Sequence, residues 1–142
     1  MLDFDPRKPE NVRYTINLHD ETNDLDHMVE LTPEEPIIIG RAKTASFSIV
    51  HSAISLIHAM VFIDHEGQIA IQDLKSTNGT RVFGLRLDNR FMDASLFSTD
   101  SLKRWSEDGS VVPEAVPIAF GPLPFLISIK SISVVQVVVE NK

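Results

Sequence analysis

Hydrophobic and polar residues alternate along most of this chain with the two-residue period of β-strands. Residues 12–18, VRYTINL, show the alternation that is typical of a strand with one buried face. Comparable alternating or β-branched segments lie at 28–33, 36–40, 46–50, 58–64, 68–74, 80–87, 117–121 and 122–130. Gly, Asn, Asp and Pro occupy the connections between these segments. Short strands at this spacing predict an all-β fold, an antiparallel β-sandwich.

Residues 91–112 depart from this alternation, and we expect them to form an inserted excursion between two strands. Serine and threonine are the residue types that cap helix N-termini. A short helix is therefore expected, with Ser98, Thr99 or Ser101 as the cap and with Leu102 and Trp105 on one face.

The two ends of the chain differ in character from its middle. Residues 1–12 are polar and rich in proline, and we expect a loose N-terminal segment. Residues 131–142 are rich in β-branched side chains and predict an extra C-terminal strand or a linker. The sandwich itself is expected to span residues 13–130.

Composition excludes several function classes. The 142 residues include no cysteine, so disulfides and thiolate metal sites are excluded. No apolar segment has the roughly 18 residues that cross a bilayer, and no apolar stretch follows a basic start, so a membrane partner and a secretory signal are not expected. The formal net charge of −7 opposes direct binding to nucleic-acid backbones. We find no phosphate loop, metal-ligand cluster or paired catalytic carboxylates, and we expect no enzyme, no cofactor and no metal.

Charge is unevenly distributed along the chain. Residues 1–36 hold ten of the twenty acidic side chains and only three basic ones. Residues 37–90 hold six Lys or Arg against four Asp or Glu, which makes this segment positive by two. An anionic ligand would therefore bind in the middle of the chain.

Asn78-Gly79 lies between two predicted strands, and this pair favours the tightest hairpin turn because both residues tolerate positive φ. The sequence therefore predicts a hairpin here. Asn78-Gly79-Thr80 also matches the N-glycosylation pattern, which is disfavoured because no secretory signal is expected.

Three polar residues lie where predicted strands end. Arg41 follows IIIG, and its planar guanidinium suits a phosphate or a carboxylate. Ser55 and His58 are three residues apart. Nucleophilic catalysis by such a pair needs an orienting group and an oxyanion site, and the sequence shows neither. A hydrogen-bonding serine with a buried histidine, or a contact with a ligand, are the remaining interpretations.

The order and spacing of these motifs resemble the forkhead-associated (FHA) domain. That family shows Gly-Arg, then Ser-x-x-His, then Asp-x-x-Ser-x-Asn-Gly-Thr, as this chain does from Gly40-Arg41 to Thr80. The resemblance covers residues 37–84, and PIAFG at 117–121 is similar to the family's penultimate strand. It implies a twisted β-sandwich of about eleven strands with ligand loops at one end.

The resemblance also implies a ligand, a phosphothreonine in a partner protein. Arg41 and Ser55 would contact the phosphate, and Thr77 and Asn78 would contact the rest of the peptide. Lys43 and Lys75 are further candidates for peptide contacts, and Gly40, His58 and Gly79 would support the site.

Two positions depart from the family pattern. Leu56 stands where the family commonly has a basic or polar residue, and Phe83-Gly84 stands where it often has Asn-Gly. These departures keep a second hypothesis open, a phosphate-independent interaction or dimerisation domain on the same fold. We expect a monomer or a weak dimer, an intracellular location and, from the family alone, a nuclear one.

Overall fold

The computed structural model describes residues 12–87, 93–98, 101–102, 104–105, 109 and 112–134. These residues form a β-sandwich of two sheets, so the predicted fold class is confirmed. The strands are β1 (Val12–Asp20), β2 (Leu25–Leu31), β3 (Ile37–Gly40), β4 (Phe47–Ser48), β5 (Ala59–Ile63), β6 (Ile69–Asp73), β7 (Thr80–Val82), β8 (Leu85–Arg86), β9 (Asp93–Ser95), β10 (Val116–Phe120) and β11 (Leu123–Val134).

The first sheet has the order β2-β1-β11-β10-β7-β8, and its neighbouring strands are antiparallel. The second has the order β4-β3-β5-β6-β9 and is mixed, because β3 and β4 are parallel. The sheets face each other across a core of isoleucine, valine, leucine and phenylalanine. Strand β1 shows why the alternation succeeds as a signal, since Val12, Tyr14 and Ile16 are buried while Arg13 and Thr15 between them are half-buried.

The predicted hairpin at Asn78-Gly79 is wrong. Strands β6 and β7, which flank this pair, belong to different sheets, so residues 74–79 form a crossover loop between the two layers of the sandwich. The hairpin in this region lies one strand later, where Val82 pairs with Leu85. Phe83 and Gly84 form its two-residue turn with φ of 50° and 78°, the positive values that the tight hairpin turn requires.

Strand β1 is longer than the strand predicted at residues 12–18. Strand β1 continues to Asp20, which pairs with Leu25 of β2, so the connection is a hairpin with four residues at its tip. The Asp20 carboxylate accepts hydrogen bonds from the backbone N–H groups of Thr22 and Asn23. These two N–H groups of the turn therefore have an acceptor within the turn itself.

The predicted excursion at 91–112 contains one more strand than expected, because β9 pairs with β6. Residues 101–102 and 104–105 are in helical conformation, and the Ser98 hydroxyl accepts a hydrogen bond from the Ser101 N–H at 3.4 Å, in agreement with the predicted cap. Leu102 is buried, and Trp105 packs against the core.

The predicted division of the chain stays a prediction. Residues 131–134 continue β11, while 135–142 and 1–11 lie outside the described residues. In the described part of the chain, no helix is long and apolar enough to cross a membrane.

Candidate functional site

Strands from both sheets end or begin at the same end of the sandwich. Strand β3 ends beside the start of β5, since Ile39 pairs with Ala59, and β5 starts beside the end of β6. In the other sheet, Thr80 at the start of β7 pairs with Phe120 at the end of β10. The Gly121 N–H donates to the Gly79 carbonyl at 2.8 Å. Loops 41–46, 49–58, 74–79 and 121–122 therefore converge at this end of the molecule.

Gly40 allows two of these loops to touch through their backbones. The Arg41 N–H donates to the Ser55 carbonyl at 2.9 Å, and the Ala42 N–H donates to the Leu56 carbonyl at 3.2 Å. A Cβ atom on Gly40 would lie 2.1 Å from the Leu56 oxygen, closer than atoms can approach. Glycine is needed here for close approach of two backbones, which holds Arg41 beside Ser55.

The Arg41 side chain is fixed at one end and available at the other. Its Nε donates to the Ile54 carbonyl at 3.1 Å, and Ile54 is itself anchored in the core. Arg41 is exposed, and its terminal nitrogens make no hydrogen bond or ion pair with a described residue. Up to four N–H donors therefore face solvent from a restrained guanidinium.

The Ser55 hydroxyl is held by the loop from the other side. Its Oγ accepts a hydrogen bond from the Thr77 N–H at 3.0 Å, which leaves the hydroxyl hydrogen available to a ligand. The Asn78 side chain donates through Nδ2 to the Ala53 carbonyl at 2.8 Å, so its Oδ1 and second N–H remain available. Ser55, Thr77 and Asn78 are thus brought together by direct contacts.

His58 lies beneath these loops and has no exposed surface. Its Nδ1 accepts from the Ser55 N–H at 3.2 Å, and its Nε2 lies 2.8 Å from the Gly79 carbonyl. Since Nδ1 accepts, the proton is on Nε2, and Nε2 donates to Gly79. The ring also meets Phe120 edge-on, with centroids 5.9 Å apart. Both ring nitrogens therefore have protein partners, and the supporting role of His58 stays a prediction.

A buried carboxylate that the sequence interpretation left without a role organises the crossover loop. Asp73 accepts hydrogen bonds from the backbone and the hydroxyl of Ser76 and from the Thr80 hydroxyl. Ser76 Oγ in turn accepts from the Gly79 N–H at 2.9 Å. All four residues are buried. The signal in the sequence was Asp-x-x-Ser, a spacing at which a side-chain oxygen can accept from a backbone N–H three residues later.

Lys43 and Lys75 are not drawn into this network. Both side chains are exposed, and neither makes a hydrogen bond or an ion pair with any residue that the structure describes. Lys75 has a φ of 57°, a left-handed conformation within the crossover loop. Their predicted peptide contacts stay predictions.

Leu56 and Ile57 present an apolar surface next to Ser55. The two side chains are 56% and 55% exposed, respectively. Leu56 therefore points outward while its carbonyl faces Ala42. The basic or polar residue that the resemblance implies at this position is replaced by a side chain that has no hydrogen-bond donor.

Negative charge collects at the same end of the sandwich, on the tip of the β1–β2 hairpin, which carries Asp20, Glu21, Asp24 and Asp26. Hydrogen bonds from Asn17 and His19 hold the pKa of Asp26 below its ordinary value, so this carboxylate remains ionised at neutral pH. The end of the molecule that carries Arg41 therefore has both positively and negatively charged regions.

Comparisons with known proteins give one family match and several solved structures of similar fold. The sequence model of the FHA domain matches residues 37–103. A Mycobacterium tuberculosis EmbR structure in complex with a low-affinity phosphopeptide is 21% identical, with a TM-score of 0.59 over 82% of this chain and 24% of the EmbR chain. This chain thus spans only a minor part of EmbR. No curated protein sequence matches the chain.

Two shorter solved structures are matched by this chain over almost their whole length. One, from a structural and functional analysis of phosphothreonine-dependent FHA domain interactions, is 20% identical, with a TM-score of 0.56 over 80% of this chain and 95% of that one. The FHA domain of an Arabidopsis thaliana hypothetical protein is 19% identical, with a TM-score of 0.58 over 90% and 92% of the two chains. The predicted resemblance is confirmed, because the FHA domain model matches residues 37–103 and solved FHA domain structures have a similar fold.

Proposed function

We propose that this chain is an interaction module that binds a phosphothreonine in a partner protein through Arg41, Ser55, Thr77 and Asn78. The observation that carries the proposal is their convergence, since three separate loops are linked at one end of a rigid sandwich. FHA domains are interaction modules that recognise phosphorylated motifs.

The chemistry of the ligand matches the groups that are left free. A phosphothreonine carries a charge of about −1.5 to −2 and three strong acceptor oxygens. Arg41 supplies restrained N–H donors, and Ser55 supplies a hydroxyl whose oxygen is already bonded to Thr77. Asn78 retains an acceptor and a donor, as contact with an extended peptide backbone requires. Few of these donors would have to be reorganised on binding, which lowers the cost of association.

The comparisons support a ligand of this class. EmbR was solved with a phosphopeptide, and a second neighbour comes from work on phosphothreonine-dependent interactions. The partner of this chain would accordingly be a protein that carries phosphothreonine. A nuclear location has no support in the comparisons and stays a prediction, since the neighbours include a bacterial protein and a plant protein.

An oriented peptide library with a fixed phosphothreonine tests the proposal, with phosphoserine and unphosphorylated libraries in parallel. The proposal expects retention of the phosphothreonine library by the wild-type protein and loss of retention by Ser55→Ala and Arg41→Ala. Arg13→Ala is a matched control, because Arg13 lies at the other end of β1, where it pairs with Glu34 at 3.1 Å. Equal retention of all three libraries would contradict the proposal.

The exposed Leu56 and Ile57 favour a second candidate function, a phosphate-independent interaction or dimerisation domain. Apolar side chains at a binding loop contribute affinity without charge. The same library distinguishes the two functions. Under this alternative, Leu56→Ser would abolish retention of peptide or partner while Arg41→Ala would not.

A further inference from the structure

Two arginines face each other on the hairpin that follows the candidate site. Arg81 of β7 and Arg86 of β8 are direct register partners in the antiparallel pair. Side chains at such positions have Cβ atoms roughly 5 Å apart, and like charges there destabilise the hairpin. Strand β8 is also the edge of its sheet, so one side of this pair is open.

The pair adjoins the loop that carries Thr77 and Asn78. A Cβ atom on Gly79 would lie 2.6 Å from Nε of Arg86 and 2.9 Å from its central guanidinium carbon. The Arg86 guanidinium therefore rests directly on the backbone of Gly79, the residue that follows Asn78. Arg81 follows Thr80 and lies next to Arg86 on the same strand pair.

Neither arginine has an anionic partner among the residues that the structure describes. Arg13, on the same sheet, contrasts with them because it is paired with Glu34. The acidic residues described above at this end of the sandwich lie on the β1–β2 hairpin tip. The sheet order β2-β1-β11-β10-β7-β8 places that tip on the opposite side of the sheet from β7 and β8.

We propose that Arg81 and Arg86 bind a second anionic group of the partner, a carboxylate or a second phosphate on the same segment as the phosphothreonine. This inference rests on the proposed function of the Arg41 site. An anion between the two guanidinium groups would relieve their mutual repulsion and form charge-assisted hydrogen bonds. An acidic residue on the other side of the phosphothreonine would instead approach the acidic hairpin tip. The preference for acid is thus directional along the partner segment.

The test uses a series of phosphothreonine peptides with alanine at every flanking position. A single glutamate, or a second phosphothreonine, is moved through the positions on either side, and affinity is measured by fluorescence anisotropy at low and high salt. For the wild-type protein, acid on one side should tighten binding about three- to tenfold, more for phosphate than for glutamate, and the gain should shrink at high salt.

The variant Arg81→Gln/Arg86→Gln should lose this gain while it still binds the alanine-flanked reference peptide. Arg13→Gln/Lys130→Gln, which removes the same charge from exposed or partly exposed positions elsewhere on the sheet, should keep the gain. A wild type that binds the reference peptide through Arg41 with no preference for acid on either side would overturn this inference and leave the proposed function standing. A gain that survives in the double variant would also overturn it. Failure to bind any phosphothreonine peptide would overturn the proposed function and, with it, this inference.

Discussion

Replacing His58 with alanine should destabilise the domain without removing a ligand contact. The imidazole is fully buried and joins the backbone of Ser55 to that of Gly79, two loops from different parts of the chain. Because both ring nitrogens already have protein partners, none is left for a phosphate. The supporting role predicts a loss of stability for His58→Ala, whereas a phosphate contact would predict a loss of affinity at unchanged stability.

The cost can be estimated from the contacts. Loss of two hydrogen bonds costs about 1 kcal/mol each. Gly79 would keep its hydrogen bond from Gly121, whereas the Ser55 N–H would lose its acceptor. The cavity beside Phe120 adds about 2 kcal/mol, at the lower end of large-to-small substitutions. The free energy of unfolding should therefore fall by about 4 kcal/mol for His58→Ala.

Urea denaturation measures this change, with the fluorescence of the single tryptophan, Trp105, and circular dichroism as independent signals. His58→Gln is the matched variant, since its Nε2 can still donate to Gly79 while its only acceptor, Oε1, is one bond further along the side chain than the Nδ1 that accepts from Ser55. It should lose about half as much stability as His58→Ala. A change below about 1 kcal/mol in His58→Ala, or loss of phosphopeptide binding at unchanged stability, would refute this account of the ring.

Further predictions concern the close backbone contact at Gly40, the stability of the domain at alkaline pH and the exposed side chain of Leu56. Gly40→Ala should cost about 3 kcal/mol because its methyl group would collide with backbone, whereas Gly84→Ala, which has open space but positive φ, should cost only about 1 kcal/mol; thermal melts compare the two. Burial raises the pKa of Tyr14, whose hydroxyl donates to Gly67, so the folded state favours the neutral phenol. The stability that the neutral Tyr14 phenol contributes is complete below the unfolded pKa of about 10 and is lost as pH rises above it. Between pH 9 and pH 11, the free energy of unfolding should therefore fall more in the wild type than in Tyr14→Phe, as measured by denaturation at the two pH values. Leu56→Arg should fold normally and bind phosphothreonine peptides about threefold more tightly at low salt, and an unchanged affinity would mean that this side chain does not face the ligand.

The strands could be predicted because the alternation of buried and exposed positions is visible within each strand's own sequence. In the first five residues of β1 and throughout β5 the side chains alternate between buried and half-buried, and this alternation is visible in the sequence without knowledge of any partner. The Gly40-Arg41, Ser55 and Asn78 motifs could also be placed at one end, because a resemblance fixes the order of the loops.

The crossover at Asn78-Gly79 could not be predicted from turn chemistry. Positive φ at Gly79 suits a hairpin, but it suits a loop between sheets equally well, and the difference depends on where β7 finds its partner. Phe83 lies in a hairpin turn although its residue type does not predict one. Phenylalanine rarely adopts positive φ, yet the Phe83 N–H donates to the Pro117 carbonyl, a contact from β10 that tertiary structure alone supplies.

The binding of a phosphothreonine peptide to the wild-type protein and to Arg41→Ala, measured by isothermal titration calorimetry, tests the central claim most directly. The peptide is the best sequence from the library, in phosphorylated and unphosphorylated forms, and Arg13→Ala is the control. The account predicts binding that requires the phosphate, a loss of at least about 2 kcal/mol for Arg41→Ala, roughly thirtyfold in affinity, and little change for Arg13→Ala. A folded Arg41→Ala protein with wild-type affinity, or wild-type binding of the unphosphorylated peptide with the same affinity, would contradict it.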